Sequence, residues 1–173
     1  MDALSRERLF KEILSENKAR LRRLCRAYIP DAEEAEDLLQ EIFINIWNSL
    51  PSFRAEAKPG TWAYRVAINT ALSYRRSWLK KWMLFDKNEK KLQASDNQED
   101  KNEKIETENK LEKLYGQITL LKKEERIIIT LALDGLSYQE IAEIVGIEAN
   151  YVGVKLNRIK TKLINNLKEV SYE

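Results

Sequence analysis

Leu136–Leu163 reads LSYQEIAEIVGIEANYVGVKLNRIKTKL, and its apolar spacing describes two short helices joined by a tight turn. Ser137 can cap a first helix that runs to Val145 and places Ile141, Ala142 and Val145 on one face. Gly146 ends it, because glycine takes the positive backbone angle of a tight turn without a side-chain clash, and the small Ala142 lets a second helix cross closely. From Ala149 onward, Val152, Leu156, Ile159 and Leu163 fall in one narrow stripe that faces the first helix. The outward side carries Asn150, Val154, Asn157, Arg158 and Thr161, flanked by Tyr151, Lys155 and Lys162. No acid lies between Glu148 and Glu169, whereas five bases do: Lys155, Arg158, Lys160, Lys162 and Lys168. In a helix-turn-helix, such a second helix sets its polar groups against phosphates and the base edges of the major groove. The bland alternative is an amphipathic C-terminal helix with a solvated basic face.

The rest of the chain is read outward from this motif. With 173 residues, 43% of them hydrophobic and 34% charged, and only five Gly and three Pro, an all-α fold with one modest core or two small ones is expected. The net charge of +2 says little, but its distribution is segregated. Residues 31–41 hold six acids and no base, and residues 57–85 hold six bases (Lys58, Arg65, Arg75, Arg76, Lys80 and Lys81) and no acid. One face for a basic partner and another for an acidic one is the simplest physical reading. A single cysteine, Cys25, and no histidine exclude an internal disulfide and leave no zinc or haem ligand set, so no cofactor is expected. Neither a Gly-rich phosphate loop nor a G-x-S-x-G turn occurs, and no catalytic role is expected. The charged N-terminus and the lack of a long apolar run predict a cytoplasmic protein without membrane insertion.

Residues 86–110, DKNEKKLQASDNQEDKNEKIETENK, carry Leu92 and Ile105 as their only large apolar side chains, with eight acids against six bases. Such a segment has too little hydrophobic surface to offset ordering entropy, so a flexible or partly helical linker is expected there. It divides the chain into an N-terminal helical domain (1–85) and a C-terminal one (111–173). In the latter, helices are expected around Leu111–Leu121 and Lys123–Asp134, the second capped by Gly135, with Ile127, Ile128, Leu131 and Leu133 as core.

In the N-terminal domain, DAEEAEDLLQEIFINIWNS (Asp31–Ser49) follows Pro30, and its early acids suit the positive end of the helix dipole. Projection at 100° per residue puts Leu38, Leu39, Ile42, Phe43, Ile46 and Trp47 on a buried arc. The outer arc holds Asp37, Gln40, Glu41, Asn45 and Asn48, with Ile44 among them. An isoleucine within a polar face either is one of the single exposed apolar residues common on proteins or marks a docking site rimmed by Asp37, Gln40 and Glu41. Leu50–Thr61 contains Pro51, Pro59 and Gly60 and is expected to form an exposed loop. The helix after it, TWAYRVAINTALSYRRSWLKKW, sets Arg65, Asn69, Ser73 and Arg76 on one stripe beside Trp62, with Ala63, Ala67, Ile68 and Ala71 available for packing. A basic face with an amide and aromatics suits single-stranded nucleic acid, although Trp62 and Tyr64 equally fit a core.

These elements, in this order, resemble the bacterial sigma factors of the extracytoplasmic-function type (group 4 of the sigma-70 family). The resemblance rests on DAEEAEDLLQEIFINIW, on SFRAEAKPGTWAYRVAINTALSYRR and on ITLLKKEERIIITLALDGLSYQEIAEIVGIEANYVGVKLNRIKTKL. It implies a sigma-2-like and a sigma-4-like helical domain that bind core RNA polymerase, at its beta-prime coiled coil and beta flap, and direct initiation at specific promoters. Asp37, Gln40 and Glu41 match the D-L-x-Q-E segment that docks on the coiled coil, with Ile44 and Asn45 on the same helix. Residues 53–60 match a loop that captures a flipped base of the melted non-template strand in the minus-ten element, which brings in Phe53, Arg54 and Lys58. Asn69 falls at the asparagine of A-x-N-T-A at the foot of that loop, on the stripe of Arg65, Ser73 and Arg76. Asn150, Tyr151, Val154, Lys155, Arg158 and Lys162 would meet the minus-thirty-five duplex, and an anti-sigma factor is the implied regulator.

Three features depart from the pattern or strain it. AEAKPG replaces a shorter stretch before the tryptophan. Gly153 lies inside the recognition helix, at a cost of about 1 kcal/mol against alanine, which close approach of a DNA backbone would explain. Val154 can meet a thymine methyl but makes no bidentate contact to guanine. A polymerase-independent helix-turn-helix regulator is the rival reading, and the acidic face around Asp37 discriminates against it. A nucleic-acid-processing enzyme would need carboxylates beside the basic helix, and none are placed there.

Overall fold

A computed structural model of the chain describes residues 2–85 and 102–170, and every long element in it is an α-helix. In chain order these are α1 (Ala3–Tyr28), α2 (Ala32–Ser49), a single 3-10 turn (Leu50–Ser52), α3 (Pro59–Phe85), α4 (Asn102–Leu120), α5 (Lys123–Leu133), α6 (Tyr138–Val145) and α7 (Ala149–Val170). The expected all-α fold is what the chain adopts. The expected linker lies, for residues 86–101, outside the described residues, and its remainder belongs to α4, which begins nine residues earlier than the apolar pattern suggested.

Local chemistry fixes the helix starts. Asp2, Asp31 and Ser137 each precede a helix and accept the backbone N–H three residues on, from Ser5, Glu34 and Glu140. Each satisfies one of the donors that a helix start leaves unpaired. At Ser137 the arrangement is reciprocal, because the Glu140 carboxylate accepts from the Ser137 N–H at 2.9 Å. Pro59 and Gly60 were expected to keep the loop open. They instead form the first turn of α3, where proline loses no hydrogen bond because its missing N–H would have had no partner. The loop therefore closes at Lys58.

α1, α2 and α3 pack on one another around Leu21, Leu24, Leu38, Ile42, Ile46 and Leu50, all completely or almost completely buried. Ala63, Ala67 and Ala71 recur every four residues on α3 and are fully buried, so that helix lies close against its neighbours. Arg6 ties the start of α1 to the end of α2: its guanidinium lies 4.0 Å from the Trp47 ring and donates to the Trp47 carbonyl at 2.6 Å. A cation there also suits the negative end of the α2 dipole. α4–α7 form a second cluster around Ile118, Ile128, Leu131, Ile141, Val152, Leu156 and Ile159. Leu133, expected in this core, is 51% exposed, and Ile129 is buried in its place.

The two clusters touch. α1 packs on α4 and α5, and α3 packs on α6. α5 brings three buried polar residues to this region, Arg126, Thr130 and Asp134, spaced four residues apart. Arg126 donates to the carbonyls of Ile118, Thr119 and Leu121, closing the end of α4, and its guanidinium lies 5.3 Å from the Tyr28 ring of α1. Burial draws its pKa down to about 10, which still leaves it charged at neutral pH.

Candidate nucleic-acid and docking interfaces

α2 carries the acidic segment, and half of its acids serve the fold. Asp31 caps the helix, the Tyr74 hydroxyl donates to Glu34 at 2.6 Å, and Glu36 pairs with Arg22 at 2.7 Å. Asp37, Gln40, Glu41 and Ile44 remain exposed, with Ile44 at 58%. Asn45 departs from the expected arc. It is half-buried and its amide donates to the Thr70 hydroxyl of α3 at 3.1 Å, so it braces two helices and does not join the open face. The outer arc of α2 is thus narrower than a 100° projection suggests.

The loop before α3 folds back on the helix. Phe53 packs against Trp62 with ring centroids 5.1 Å apart, so Trp62 has an aromatic partner within its own segment. Arg54 and Lys58 are exposed, and Ala55 between them holds a left-handed φ of 56°, a conformation that strains a residue with a Cβ. On α3, Arg65, Asn69, Ser73 and Arg76 are all exposed along one stripe, opposite the buried alanines. Tyr64 belongs to the interior at 2% exposure. Two bases of this stripe's upper end already have partners in the other cluster: Arg65 donates to the Glu143 carbonyl of α6, and Lys58 lies 3.9 Å from the Glu140 carboxylate. Arg75, beside the stripe, donates to the Thr119 carbonyl at 3.1 Å.

α6 and α7 form the expected helix-turn-helix. Gly146 has φ 78°, its N–H returns to the Ala142 carbonyl, and the stripe Val152, Leu156, Ile159 and Leu163 is buried. Asn150, Tyr151, Val154, Asn157, Arg158 and Thr161 face outward. Lys155 and Lys162 differ from them. Lys155 is within 3.0 Å of Glu124 and Lys162 within 3.1 Å of Glu125, both on the first turn of α5, so these two bases lean toward their own domain. Gly153 has a reason that lies inside the protein: a Cβ built there would stand 3.2 Å from Cε2 of Tyr138, whose ring crosses over the glycine. Close approach of DNA is not required to account for it.

Sequence reasoning missed the seam. Asp134 follows the last residue of α5 with its side chain 1% exposed, receives Arg23 Nε at 2.7 Å and the Tyr64 hydroxyl at 3.2 Å, and both donors belong to the other cluster. Burial raises its carboxyl above the ordinary value even though Arg23 pulls it down. Tyr28 Oη and Thr130 Oγ1 are also buried, and neither has a hydrogen-bond partner among the described residues. The only hint in the sequence was the four-residue spacing of Arg126, Thr130 and Asp134.

An exposed acidic helix face, an exposed basic stripe after a strained loop, and a helix-turn-helix lie together in one all-α chain, the build of a helix-turn-helix DNA-binding protein. Comparison with known proteins agrees. Residues 13–86 match the model of Sigma-70 region 2, and residues 111–163 that of Sigma-70, region 4. The RNA polymerase sigma factor YlaC of Bacillus subtilis is 32% identical over 137 residues, covering 78% of each chain. The ECF RNA polymerase sigma-E factor of Haemophilus influenzae is 28% identical over 93% of this chain and 88% of its own. Among solved structures, CnrH in complex with the cytosolic domain of CnrY has a TM-score of 0.65 at 20% identity, covering 94% of this chain and 90% of the other. RpoE of Bartonella quintana in complex with the anti-sigma factor NepR has a TM-score of 0.67 at 21% identity, covering 92% and 96%. These two share the fold. The chain belongs to the extracytoplasmic-function sigma factors of the sigma-70 family. As such it is a transcription initiation factor.

Proposed function

We propose that the chain works in the cytoplasm by binding alone, without catalysis, and that its parts divide the work of initiation among three regions. Residues 1–85 dock on core RNA polymerase and engage the melted minus-ten strand, residues 86–110 tether, and residues 111–173 bind the minus-thirty-five duplex and the beta flap. The observation that carries this reading is the α2 face, where Asp37, Gln40 and Glu41 surround Ile44 at 58% exposure while the opposite side of the helix is sealed in the core. An apolar side chain rimmed by acceptors is what a helical, basic partner surface requires, and the beta-prime coiled coil supplies one. A regulator acting without polymerase would have no use for this face. Among described residues no helix is long and apolar enough to cross a membrane.

On the nucleic-acid side, Phe53, Arg54, Lys58, Arg65, Asn69, Ser73 and Arg76 offer stacking, amide and cationic groups to an extruded base and its phosphates. Asn150, Tyr151, Val154 and Arg158 contact the upstream duplex, with Lys155 and Lys162 joining once released from α5. Control by an anti-sigma factor is supported by the two solved relatives of the same fold: one is described in complex with an anti-sigma factor, the other with a cytosolic domain of a second protein. The test is co-elution of the purified chain with bacterial core RNA polymerase. Wild type is expected to co-elute and Asp37→Arg to run free while remaining folded. Normal binding by that variant would remove the docking assignment.

A further inference from the structure

We infer that Tyr138 of α6 is a base-reading residue of the helix-turn-helix, whose ring meets the C5-methyl of a thymine and so sets the upstream element toward an A·T pair at that position. This rests on the upstream-duplex role proposed for α7. The ring reaches the reading surface because Gly153 carries no side chain. A Cβ built on Gly153 would stand 3.2 Å from Tyr138 Cε2 and 3.7 Å from Cδ2, so the ring lies against α7 where a side chain at 153 would begin. Gly153 is one turn from Asn150 and from Asn157, both exposed, and is next to Val154. The face that α7 turns outward is therefore completed by a residue of α6.

The chemistry of this face decides what it can read. Tyr138, Tyr151 and Val154 are 52%, 62% and 51% exposed, an apolar surface among outward side chains that are otherwise polar. In the major groove the one apolar group that a base pair presents is the C5-methyl of thymine. Bringing that methyl against the Tyr138 ring takes apolar surface of both partners out of water. Asn150 and Asn157 supply the complement, since an asparagine amide pairs with N6 and N7 of adenine, the partner of each thymine. The groups that would favour guanine are fewer. Lys155 and Lys162 lie at 3.0 and 3.1 Å from Glu124 and Glu125 of α5. Of the three cations proposed to meet the duplex, Arg158 alone has no such tie among the described residues.

The experiment uses the full chain reconstituted with bacterial core RNA polymerase and a pool of DNA duplexes randomised over about one helical turn. An element retained by the wild type and lost by the Asn150→Ala, Arg158→Ala double variant, whose two sites are exposed, is the one α7 reads. Each thymine of that element is then replaced in turn by uracil, which removes the C5-methyl and keeps every hydrogen-bonding group. For the wild type, uracil should weaken binding about fourfold at one position or more, the effect of a single methyl group left in water. Tyr138→Ala should cancel that penalty at one such position. Tyr138→Phe should retain it, because the ring and not the hydroxyl makes the contact. The ratio compares two duplexes on the same protein, so a partial loss of fold drops out of it.

An element without A·T pairs overturns the inference, and so does a Tyr138→Ala chain that keeps the full uracil penalty at every thymine. Tyr138→Ala and Tyr138→Phe chains weakened alike on thymine and uracil duplexes would make the hydroxyl a phosphate donor, the contact open to a first helix that crosses the backbone, and this also overturns it. If no element distinguishes the wild type from the double variant, the upstream-duplex role of α7 falls, and the methyl contact with it. If such an element exists and the wild type tolerates uracil throughout, that role stands and only the methyl contact falls.

Discussion

Cys25 shows how far a single side chain can be read from its surroundings. It is fully buried in α1, where loss of water pushes its thiol up to about 12. The ordinary value is 9.0, and burial disfavours the thiolate, so the shift removes the reactive form throughout the neutral range. The folded chain is therefore expected to leave Ellman's reagent unreacted at about pH 8 and to react once unfolded in guanidinium. Rapid reaction of the native chain would show that the site opens. Gly153 was read in the opposite spirit, as a concession to DNA, and the structure gives it to Tyr138. Alanine there gains about 1 kcal/mol of helix propensity and asks the ring to move by a few tenths of an ångström. Tyr138 is 52% exposed and has room to yield, so Gly153→Ala should stabilise the chain by about 0.5 kcal/mol in urea unfolding. Gly153→Ala in a Tyr138→Ala background should gain about 1 kcal/mol, and a loss in both backgrounds would exclude the ring as the reason.

At the scale of elements, periodicity carried the reading wherever a helix had one buried face. α2, α3 and α7 show this best: Leu38, Ile42 and Ile46, then Ala63, Ala67 and Ala71, then Val152, Leu156, Ile159 and Leu163 all lie inside as spaced. It failed where tertiary contacts decided. α5 is buried on nearly all sides, so Ile129 and Arg126 are interior while Leu133 is not, and no window of sequence reveals that α4 ends against Arg126. Pro59 was misjudged because proline stops a helix from its interior yet suits the first turn. The same limit applies to α7, where exposure by spacing did not foresee that α5 takes Lys155 and Lys162 into ion pairs. These pairs set an expected order of effects on duplex binding. Arg158→Ala should lower the slope of log K against log salt by about 1, and Lys155→Ala by less, since Lys155 must first leave Glu124. Glu124→Ala should tighten duplex binding by freeing that base. Equal slopes for the two basic variants would show that the pairs do not persist at the DNA.

For the whole molecule, the division into two domains followed from composition, but their contact did not, because each half of the seam looks like ordinary surface until both are present. Arg23 reads as a solvated base on α1, and Asp134 as a polar residue before a glycine. Together they bury a carboxylate, and this gives stability a dependence on acidity. The Asp134 carboxyl is raised above 3.8 by burial, with Arg20 and Arg23 of α1 lowering it, Tyr64 of α3 donating to it and Tyr115 of α4 nearby. A raised carboxyl in the folded chain binds a proton more readily than the same group in the unfolded one, so Asp134 contributes stability that appears as pH falls through the raised value and is complete below the ordinary one. The Glu140 carboxyl is held below its ordinary value by its hydrogen bonds to Ser137, which favours the charged form that faces Lys58. Urea unfolding should therefore show the wild type gaining stability relative to Asp134→Asn as pH falls into the carboxylate range, and a constant difference would place Asp134 outside the balance.

The two buried hydroxyls, Tyr28 Oη and Thr130 Oγ1, have a consequence for the contact between the domains. A seam matched at every atom would yield only to a partner able to pry it apart, and the delay before initiation would depend on that partner's strength. Two buried hydroxyls with no hydrogen-bond partner among the described residues leave the contact between the domains less favourable than a fully matched one.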